Sequence, residues 1–167
     1  MFRILMIGLA AFSLSACQGK AQAPPVADQS GPSKTFMAQN AKQPGVVVLP
    51  SGLQYKIVHS GPATGLKPTL NDEVKVHYEG KLIDGKVFDS SYERGQPAAM
   101  PLQGLVKGWQ EALQLMRPGD EWILYVPSDL GYGAEGAGGG EIPGGAALIF
   151  RIELIDVLPG PGRVQLG

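Results

Sequence analysis

The stretch LVKGWQEALQLM, residues 105–116, decides the fold that this sequence predicts. Its apolar residues recur every three or four positions, which is the spacing of one face of an α-helix. They are Leu105, Val106, Trp109, Ala112, Leu113 and Met116. Pro118 and Gly119 follow and predict that the helix ends before them. A single helix cannot bury such a face by itself, so the rest of the chain must supply a sheet that packs against it.

Short stretches of alternating apolar and polar residues, typical of β-strands, lie on both sides of the predicted helix. The clearest are residues 53–60, 72–80, 121–126 and 147–157. A shorter stretch follows Asp84-Gly85, a pair that strongly predicts a hairpin. We therefore predict an α+β fold, in which a curved antiparallel β-sheet wraps around one short α-helix.

The N-terminal segment has the features of a secretory signal. Arg3 precedes an apolar stretch, residues 4–14, that is too short to span a bilayer permanently. Residues 14–17, LSAC, resemble a bacterial lipobox, which implies cleavage after residue 16 and acylation of Cys17. The acyl chains would anchor the protein to a membrane without a transmembrane helix. By analogy with lipoprotein sorting, Gln18 in place of an aspartate favours the outer membrane of the cell envelope, facing the periplasm. The alternative is an ordinary signal peptide followed by a free cysteine.

The sequence predicts four segments. Residues 1–16 are the signal peptide, and residues 17–50 hold the lipidated cysteine, a flexible linker and a short helix or arm. Residues 51–158 form the folded domain, and residues 159–167 form a C-terminal tail. Residues 18–32 are polar and rich in proline, alanine and glycine, which predicts a disordered tether. Ser33 is predicted to cap a short helix over residues 34–42, and residues 46–49 to form a strand or an extended arm.

Charge and composition exclude several kinds of site. The formal net charge is -1 and no run of like charges is present, so we predict no nucleic-acid partner. His59 and His77 have no metal-ligating neighbours at suitable spacing, so we predict no metal site and no cofactor. The glycine-rich residues 131–145 lack the lysine and the following helix of a phosphate-binding loop. Asp72 and Asp120 begin strands and are predicted to face solvent.

Five aromatic residues from different predicted elements can point to the concave side of the sheet. They are Tyr78, Phe88, Trp109, Tyr132 and Phe150. Two interpretations are open: these side chains are simply core, or they line a hollow. Strict alternation puts Asp89 on the face opposite Phe88, so both line a hollow only if the strand contains a β-bulge. A carboxylate at such a place needs a hydrogen-bond donor, and Tyr78 is the candidate.

Several ordered motifs carry a family resemblance. They are VHYEGKLIDGKVFDSS (76–91), GWQEAL (108–113), VPSDLGYG (126–133) and IPGGAALIFRIEL (142–154). They resemble the FKBP-type peptidyl-prolyl isomerases, and the resemblance covers residues 51–157. Residues 36–57 are similar to the linker and domain start of bacterial members of the macrophage-infectivity-potentiator type. Those members carry a long dimerising helix, of which this chain matches only the last turns, so the resemblance gives little support to dimerisation by that route.

The resemblance also implies roles for individual residues. It implies a catalytic pocket made of Tyr78, Phe88, Asp89, Trp109, Tyr132 and Phe150. In it Trp109 is the floor and Asp89 is the internal acid. Substrate would also meet Leu105, Val106, Ile142 and Ala98. The N–H of Val106 and the hydroxyl of Tyr132 would bind substrate carbonyls, and Ile142 would close the flap over the pocket.

Two features depart from the family pattern. Ala98 takes a position that is bulky in many members, and residues 137–140, AGGG, remove side chains from the flap. Both predict a wider and less selective pocket. Macrolide inhibitors of the FK506/rapamycin type are therefore expected to bind weakly.

The resemblance implies a peptidyl-prolyl cis-trans isomerase that acts on proline-containing unfolded or exported polypeptides. An apolar pocket can lower the rotation barrier of an amide without a nucleophile or a cofactor. Two alternatives remain open. One is a proline-binding or chaperone module with little turnover, and the other is a structural lipoprotein whose outward Ile123 and Tyr125 bind a partner. We favour coverage of these two side chains by residues 46–49.

Overall fold

A computed structural model describes residues 27–161 of the chain. The predicted signal peptide, the lipidation site at Cys17 and residues 18–26 of the predicted tether lie outside the described residues, as do residues 162–167. Within residues 27–161 the α-helices are α1, Ser30–Asn40, and α2, Lys107–Leu113. The strands are β1, Val46–Val48, β2, Gln54–His59, β3, Glu73–Leu82, β4, Val87–Ser90, β5, Ala98–Pro101, β6, Glu121–Val126, and β7, Leu148–Leu158. Short 3-10 helices cover Leu102–Gly104, Ser128–Leu130 and Gly138–Gly140.

The seven strands form one antiparallel sheet, which confirms the predicted fold class. Its order is β1-β2-β6-β7-β3-β4, and β5 also pairs with β3. β3 pairs with β7 over its whole length, while its other edge is shared by β5, opposite residues 73–76, and β4, opposite residues 79–81. The chain between β4 and β5 therefore leaves the sheet at the middle of β3.

The core lies between the sheet and α2. Alternation along β3, β6 and β7 buries one side chain in two, as the pattern predicts. Trp109, Ala112 and Leu113 of α2 face these strands and are each at most 4% exposed. The predicted hairpin is also present, because Gly85 adopts φ 91° in the turn that joins β3 to β4.

Helix α2 is shorter than the sequence predicts. Leu105 and Val106 have extended backbone, with ψ angles of 166° and 149°, and the helix begins only at Lys107. Met116 lies beyond its end but remains fully buried. The apolar period predicted the buried face correctly, whereas it could not distinguish helical from extended backbone at the two ends.

Helix α1 begins earlier than predicted, and Ser33 does not cap it. The Asp28 carboxylate accepts the Ser30 N–H at 3.0 Å, and the helix starts at Ser30, within the predicted tether. Ser33 is inside the helix and buried, and its hydroxyl accepts the N–H of Ala147 at 2.7 Å. The prediction failed because this serine satisfies a distant backbone donor instead of the start of its own helix.

The segment predicted to cover Ile123 and Tyr125 lies elsewhere. Val46–Val48 is an edge strand that pairs with β2, so it extends the sheet and does not cover its outer face. The ring of Phe36, on α1, packs against Tyr125 with a centroid distance of 6.1 Å. Tyr125 is therefore covered by helix α1 and not by residues 46–49.

Asp72 and Asp120 are buried, in contrast to the prediction that they face solvent. Asp120 accepts the N–H groups of Gly61 and Arg117 at 2.7 and 2.9 Å. Asp72 accepts the N–H groups of Thr69 and Gly160 at 2.7 and 2.9 Å. Each carboxylate closes a loop by satisfying backbone donors, which is why it tolerates burial.

No helix within residues 27–161 is long and apolar enough to cross a membrane.

Candidate active site

A hollow of about 230 Å³ opens between the start of α2 and the concave face of the sheet. Its wall residues are Tyr78, Phe88, Asp89, Met100, Gly104, Leu105, Val106, Trp109, Tyr132 and Phe150. All five aromatic residues that the sequence singled out are among them. The chain's own side chains leave this space open, so the aromatic set lines a hollow and is not merely core.

Trp109 forms the floor of the hollow. Its indole meets the Tyr78 ring edge to face, with centroids 5.2 Å apart and an interplanar angle of 83°. It meets the Phe150 ring in the same way, at 5.1 Å and 89°. Phe150 in turn meets Phe88 at 5.7 Å and 88°. Edge-to-face contacts are a favoured arrangement of aromatic rings, and here they hold the floor and walls in fixed orientations.

A β-bulge brings Phe88 and Asp89 to the same hollow, which confirms the sequence prediction. Gly80 lies opposite Asp89, whereas its neighbour Lys81 lies opposite Val87, so Phe88 is the extra residue of β4. The extra residue breaks the alternation of the strand. Phe88 and Asp89 therefore both line the hollow although they are adjacent in sequence.

Gly80 leaves the space that the two rings next to it occupy. A Cβ on this residue would lie 2.7 Å from both Phe88 and Phe150. No real Cβ approaches another heavy atom so closely. A side chain at this position would have to push the two walls of the hollow apart.

Asp89 belongs to a polar cluster with Tyr78 and Arg94. The Tyr78 hydroxyl donates to Asp89 Oδ2 at 2.5 Å, which confirms the predicted donor. The guanidinium of Arg94 donates to Asp89 Oδ1 and, at 2.9 Å, to the Tyr78 hydroxyl. Its Cζ also lies 5.4 Å from the centroid of the Tyr78 ring. Each member of the cluster is thus held by the other two.

These contacts keep the Asp89 carboxylate ionised. Partial burial acts to raise its pKa, but hydrogen bonds from Tyr78 and Arg94 outweigh that effect, and the pKa of Asp89 is lowered from its ordinary value. Burial, and then the hydrogen bond to Asp89, raise the pKa of Tyr78. Tyr78 therefore remains a neutral donor and Asp89 a charged acceptor at neutral pH.

Several polar groups at the hollow have no partner within the described chain, and the buried indole N–H of Trp109 is one of them. The Val106 N–H and the Tyr132 hydroxyl form no hydrogen bond with residues 27–161. Tyr132 is 40% exposed. A bound peptide could therefore use both groups without displacing an internal hydrogen bond.

Two predicted substrate-binding residues do not line the hollow. Ala98 pairs with Val76 at the outer end of β5 and packs against the core. Ile142 is buried because the loop folds back through a bridge between Ala137 and Ile142. Ile142 instead lines a separate groove of about 890 Å³ between α1 and the loop. The predicted substrate contacts of these two residues are therefore not supported by where their side chains lie.

The sequence analysis missed three residues of the site: Arg94, Met100 and Gly104. Met100 lies opposite the buried Val74, so the alternation of β5 would have indicated that it points inward. Arg94 lies in an irregular segment five positions after Asp89, where no periodic signal exists. The available signal was chemical: Asp89 needs hydrogen-bond donors, and Arg94 is a cation close to it in the sequence.

No group of three or more His, Cys, Asp or Glu side chains within residues 27–161 could hold a metal ion. The groups that line the hollow are aromatic surfaces and hydrogen-bond donors, next to an ionised carboxylate that accepts from Tyr78 and Arg94.

Comparison with known families identifies two matching models. One, described as FKBP-type peptidyl-prolyl cis-trans isomerase, matches residues 65–155. The other, described as the domain amino terminal to FKBP-type peptidyl-prolyl isomerase, matches residues 10–57. The first match includes every residue that lines the hollow.

Individual relatives agree with these matches. The chain is 55% identical over 125 residues to the peptidyl-prolyl cis-trans isomerase Mip of Coxiella burnetii, covering 75% of this chain and 53% of the relative. It is 51% identical over 122 residues to the outer membrane protein MIP of Legionella longbeachae, covering 73% of this chain and 51% of the relative. The chain thus spans about half the length of these two curated relatives.

A solved structure shares the fold. The crystal structure of a peptidyl-prolyl cis-trans isomerase from Pseudomonas syringae pv. tomato superimposes with a TM-score of 0.72 at 43% identity. The match covers 78% of this chain and 93% of that one.

Proposed function

Because the chain belongs to the family of FKBP-type peptidyl-prolyl cis-trans isomerases, we propose that it catalyses cis-trans isomerisation of X-Pro bonds in other polypeptides. One observation carries the proposal: an open hollow floored by Trp109 and walled by aromatic rings, with unpartnered donors at its rim. Its volume of about 230 Å³ is several times the share of a water molecule, about 30 Å³, and is enough for a proline ring.

The reaction is a rotation and needs no covalent step. Rotation about a peptide bond meets a barrier of about 18–20 kcal/mol, because twisting removes the amide resonance. The planar amide is more dipolar than the twisted one. An apolar, aromatic hollow therefore penalises the planar ground state more than the twisted transition state, which lowers the barrier.

Named groups can hold the substrate during this rotation. The proline ring would lie on the Trp109 indole, between the walls formed by Tyr78 and Phe150. The Val106 N–H and the Tyr132 hydroxyl would donate to peptide carbonyls on either side of the rotating bond. Fixing these carbonyls turns a freely moving chain into one that is held close to the twisted geometry.

Asp89 acts in this proposal as an orienting group and not as a proton donor. Its carboxylate is ionised and is bonded to both Tyr78 and Arg94. It therefore has no proton to give, and the rotation requires none. Its task is to hold the Tyr78 ring as a wall of the hollow.

A proline-limited refolding assay tests the function. The full chain should accelerate the slow refolding phase of an unfolded protein, because uncatalysed X-Pro isomerisation takes about tens to hundreds of seconds. Phe88→Ala should lower kcat/KM for a proline-containing peptide by about tenfold or more, since the wall no longer fixes the substrate. Tyr55→Ala is the matched control, because Tyr55 is also a half-buried aromatic but stacks on Trp122 away from the hollow. Equal losses of activity would mean that Phe88 serves the fold alone.

The same assay distinguishes catalysis from simple binding. A proline-binding module would hold the peptide and slow or arrest refolding, and it would leave the slow phase unaccelerated. Macrolides of the FK506/rapamycin type should compete with peptide for the hollow. We propose that this competition is weak, because residues 137–140 of the flap carry almost no side chains. Ala98, the other residue behind the predicted wide pocket, does not line the hollow.

The proposed substrates are proline-containing unfolded or exported polypeptides in the cell envelope. A relative is named an outer membrane protein, which supports an envelope location for this chain as well. We propose that acyl chains on Cys17 anchor the protein to the outer membrane, facing the periplasm, with residues 18–26 as the spacer. The hollow would then act on chains that arrive after export.

A further inference from the structure

Hydrogen bonds join the first half of α1 to the glycine-rich loop that follows β6. This loop, residues 131–145, is called the glycine loop below. The Gln29 N–H donates to the Gly144 carbonyl at 2.9 Å, and the Ser33 hydroxyl accepts the Ala147 N–H at 2.7 Å. Ser33 and Ala147 are both buried and are 114 positions apart in sequence. The helix is thus attached to the end of the glycine loop at two successive points.

Glycine at the contact allows the close approach. A Cβ on Gly145 would lie 2.7 Å from both the Asp28 carboxylate and the Ser30 nitrogen. Gly145 also has φ 73°, which other residues rarely adopt. The loop backbone therefore lies directly against the start of α1, without a side chain between them.

The contact continues from the end of the glycine loop to its beginning. The Gly145 N–H donates to the Gly133 carbonyl at 2.9 Å. Gly133 directly follows Tyr132, which lines the hollow. The Gly133 N–H in turn donates to the Ser128 carbonyl at 2.8 Å. A short series of hydrogen bonds thus joins α1 to the backbone next to Tyr132.

We propose that Ser33 is a positioning residue for the isomerase site: its hydrogen bond to Ala147 holds the glycine loop where Tyr132 meets the substrate. This inference rests on the proposed function, and it assigns to α1 a task beyond covering the sheet. Ser33 touches neither the hollow nor the substrate. Its effect passes through residues 144–147 and Gly133.

The test is a double-mutant comparison in the full 167-residue chain. Ser33→Ala removes the acceptor of the Ala147 N–H. We expect it to lower kcat/KM for a proline-containing peptide by about three- to tenfold, the range of effects that pass through packed networks. In a Tyr132→Phe background, which lacks the hydroxyl, Ser33→Ala should cause no further loss. An equal loss in both backgrounds overturns the proposal, because Ser33 would then act independently of Tyr132.

Amide hydrogen exchange provides a readout that does not depend on activity. In Ser33→Ala the Gly145 amide should exchange faster by about tenfold or more, because its loop opens more often. Unchanged exchange overturns the proposal. Gln29→Pro removes the N–H that donates to Gly144. Gln29 is the N-cap residue of α1, so no hydrogen bond inside the helix is lost. Like Ser33→Ala, it should speed exchange of the Gly145 amide and lower kcat/KM. If Ser33→Ala does not fold, Gln29→Pro takes its place in the test.

Asn40→Ala is the matched control. Asn40 is a buried polar residue of the same helix, and it donates to Gln54 of β2 at 2.8 Å without touching the glycine loop. It should leave Gly145 exchange and kcat/KM unchanged. If it changes both as much as Ser33→Ala does, the effect is a general loosening of α1 and the proposal fails.

Failure of the proposed function can be told apart from failure of this inference. A wild-type chain without isomerase activity would refute the function. The positioning claim would then be decided by the Tyr132 ring resonances and the Gly145 amide. If both change in Ser33→Ala and neither changes in Asn40→Ala, the claim is supported. If neither changes in Ser33→Ala, it is overturned.

Discussion

Two arginine–carboxylate pairs of the described chain differ mainly in where they lie. Arg94 pairs with Asp89 at the hollow, whereas Arg151 pairs with a glutamate on the outer face of the sheet. Both arginine side chains are about half exposed, at 46% and 55%. Each guanidinium lies over a tyrosine ring, at 5.4 Å for Tyr78 and 5.5 Å for Tyr92. The two pairs therefore allow the effect of position to be separated from that of ion pairing.

We expect Arg94→Gln to lower kcat/KM for a proline-containing peptide by about three- to tenfold, because Asp89 and Tyr78 lose the donor that orients them. Arg151→Gln is the control and should leave the kinetics unchanged, since exposed pairs contribute little to the fold. Steady-state kinetics with both variants measures the difference. Similar losses in the two variants would show that Arg94 has no special role at the hollow.

The lowered pKa of Asp89 predicts how stability depends on pH. Its stabilising effect is fully present above the ordinary aspartate pKa of about 3.9 and is lost as the pH falls through the lower value of the folded chain. The stability difference between the wild-type chain and Asp89→Asn should therefore be constant from about pH 5 to 8 and should shrink below about pH 4. Urea unfolding across this range measures it. A difference that grows in acid would contradict the assigned direction of the shift.

The burial of Asp120 could not be predicted from the sequence around it. Asp120 and Glu121 look like a charged pair at a strand start, and only Glu121 keeps partial exposure. Asp120 is buried because Gly61, 59 positions away, brings a backbone donor to it. No local pattern predicts this contact, so the acidic side chain is expected from the sequence to face solvent.

At the scale of elements, the bulge in β4 determines the composition of the hollow. It turns Phe88 and Asp89 toward one cavity, and it needs the space that Gly80 leaves in β3. From the sequence, the bulge was a condition: alternation puts Phe88 and Asp89 on opposite faces, so both could line the hollow only if the strand contained one. The sequence did not predict that a glycine in the neighbouring strand makes room for the rings.

Gly80→Ala should damage both the fold and the site. Its Cβ would force Phe88 and Phe150 aside, which we expect to cost about 1–3 kcal/mol of unfolding free energy, as overpacking usually does. The kcat/KM for a proline-containing peptide should fall as well, because both rings are walls of the hollow. Urea unfolding and peptide kinetics measure the two effects.

Gly31→Ala is the control for this substitution, because a Cβ at that position would meet nothing within 4 Å apart from its chain neighbours and the backbone of its own helix. Its unfolding free energy should stay within about 0.5 kcal/mol of the wild-type value. Full activity of Gly80→Ala would mean that the rings can shift without affecting catalysis.

At the scale of the whole molecule, the proposed location depends on residues before the described domain. Acyl chains contribute about 0.8 kcal/mol for each buried methylene, and stable attachment needs more than one chain. The lipobox-like LSAC at residues 14–17 predicts such an anchor. An anchored enzyme would be held where exported chains emerge.

Cys17→Ser should release the protein from the membrane. In a Gram-negative host, the wild-type chain should incorporate labelled palmitate and sediment with membranes, whereas the variant should do neither, because serine lacks the thiol that is acylated. Ser15→Ala keeps a small residue at its position and should remain anchored. Palmitate incorporation that persists in Cys17→Ser would contradict lipidation at this site.

The sequence by itself determined the features that arise from neighbouring residues. The apolar period around Trp109 identified the helix face, alternation identified the strands, and Asp84-Gly85 identified the hairpin. The residues left two interpretations of the aromatic set open, core or hollow, and the family resemblance favoured the hollow. The Tyr78–Asp89 bond was predicted because a carboxylate at such a place needs a hydrogen-bond donor. Local backbone geometry sets these periods, so a short window of sequence contains them.

Only the tertiary structure decided the features that depend on contacts between residues far apart in the sequence. Arg94 joins the polar cluster, Ser33 binds Ala147, and Ile142 lines the groove beside α1, although no periodic pattern indicates any of these. All three involve irregular segments, whose paths are set by hydrogen bonds and glycine contacts across the fold. Such contacts form between residues that are remote in sequence, and they exist only once the sheet and the helices have packed.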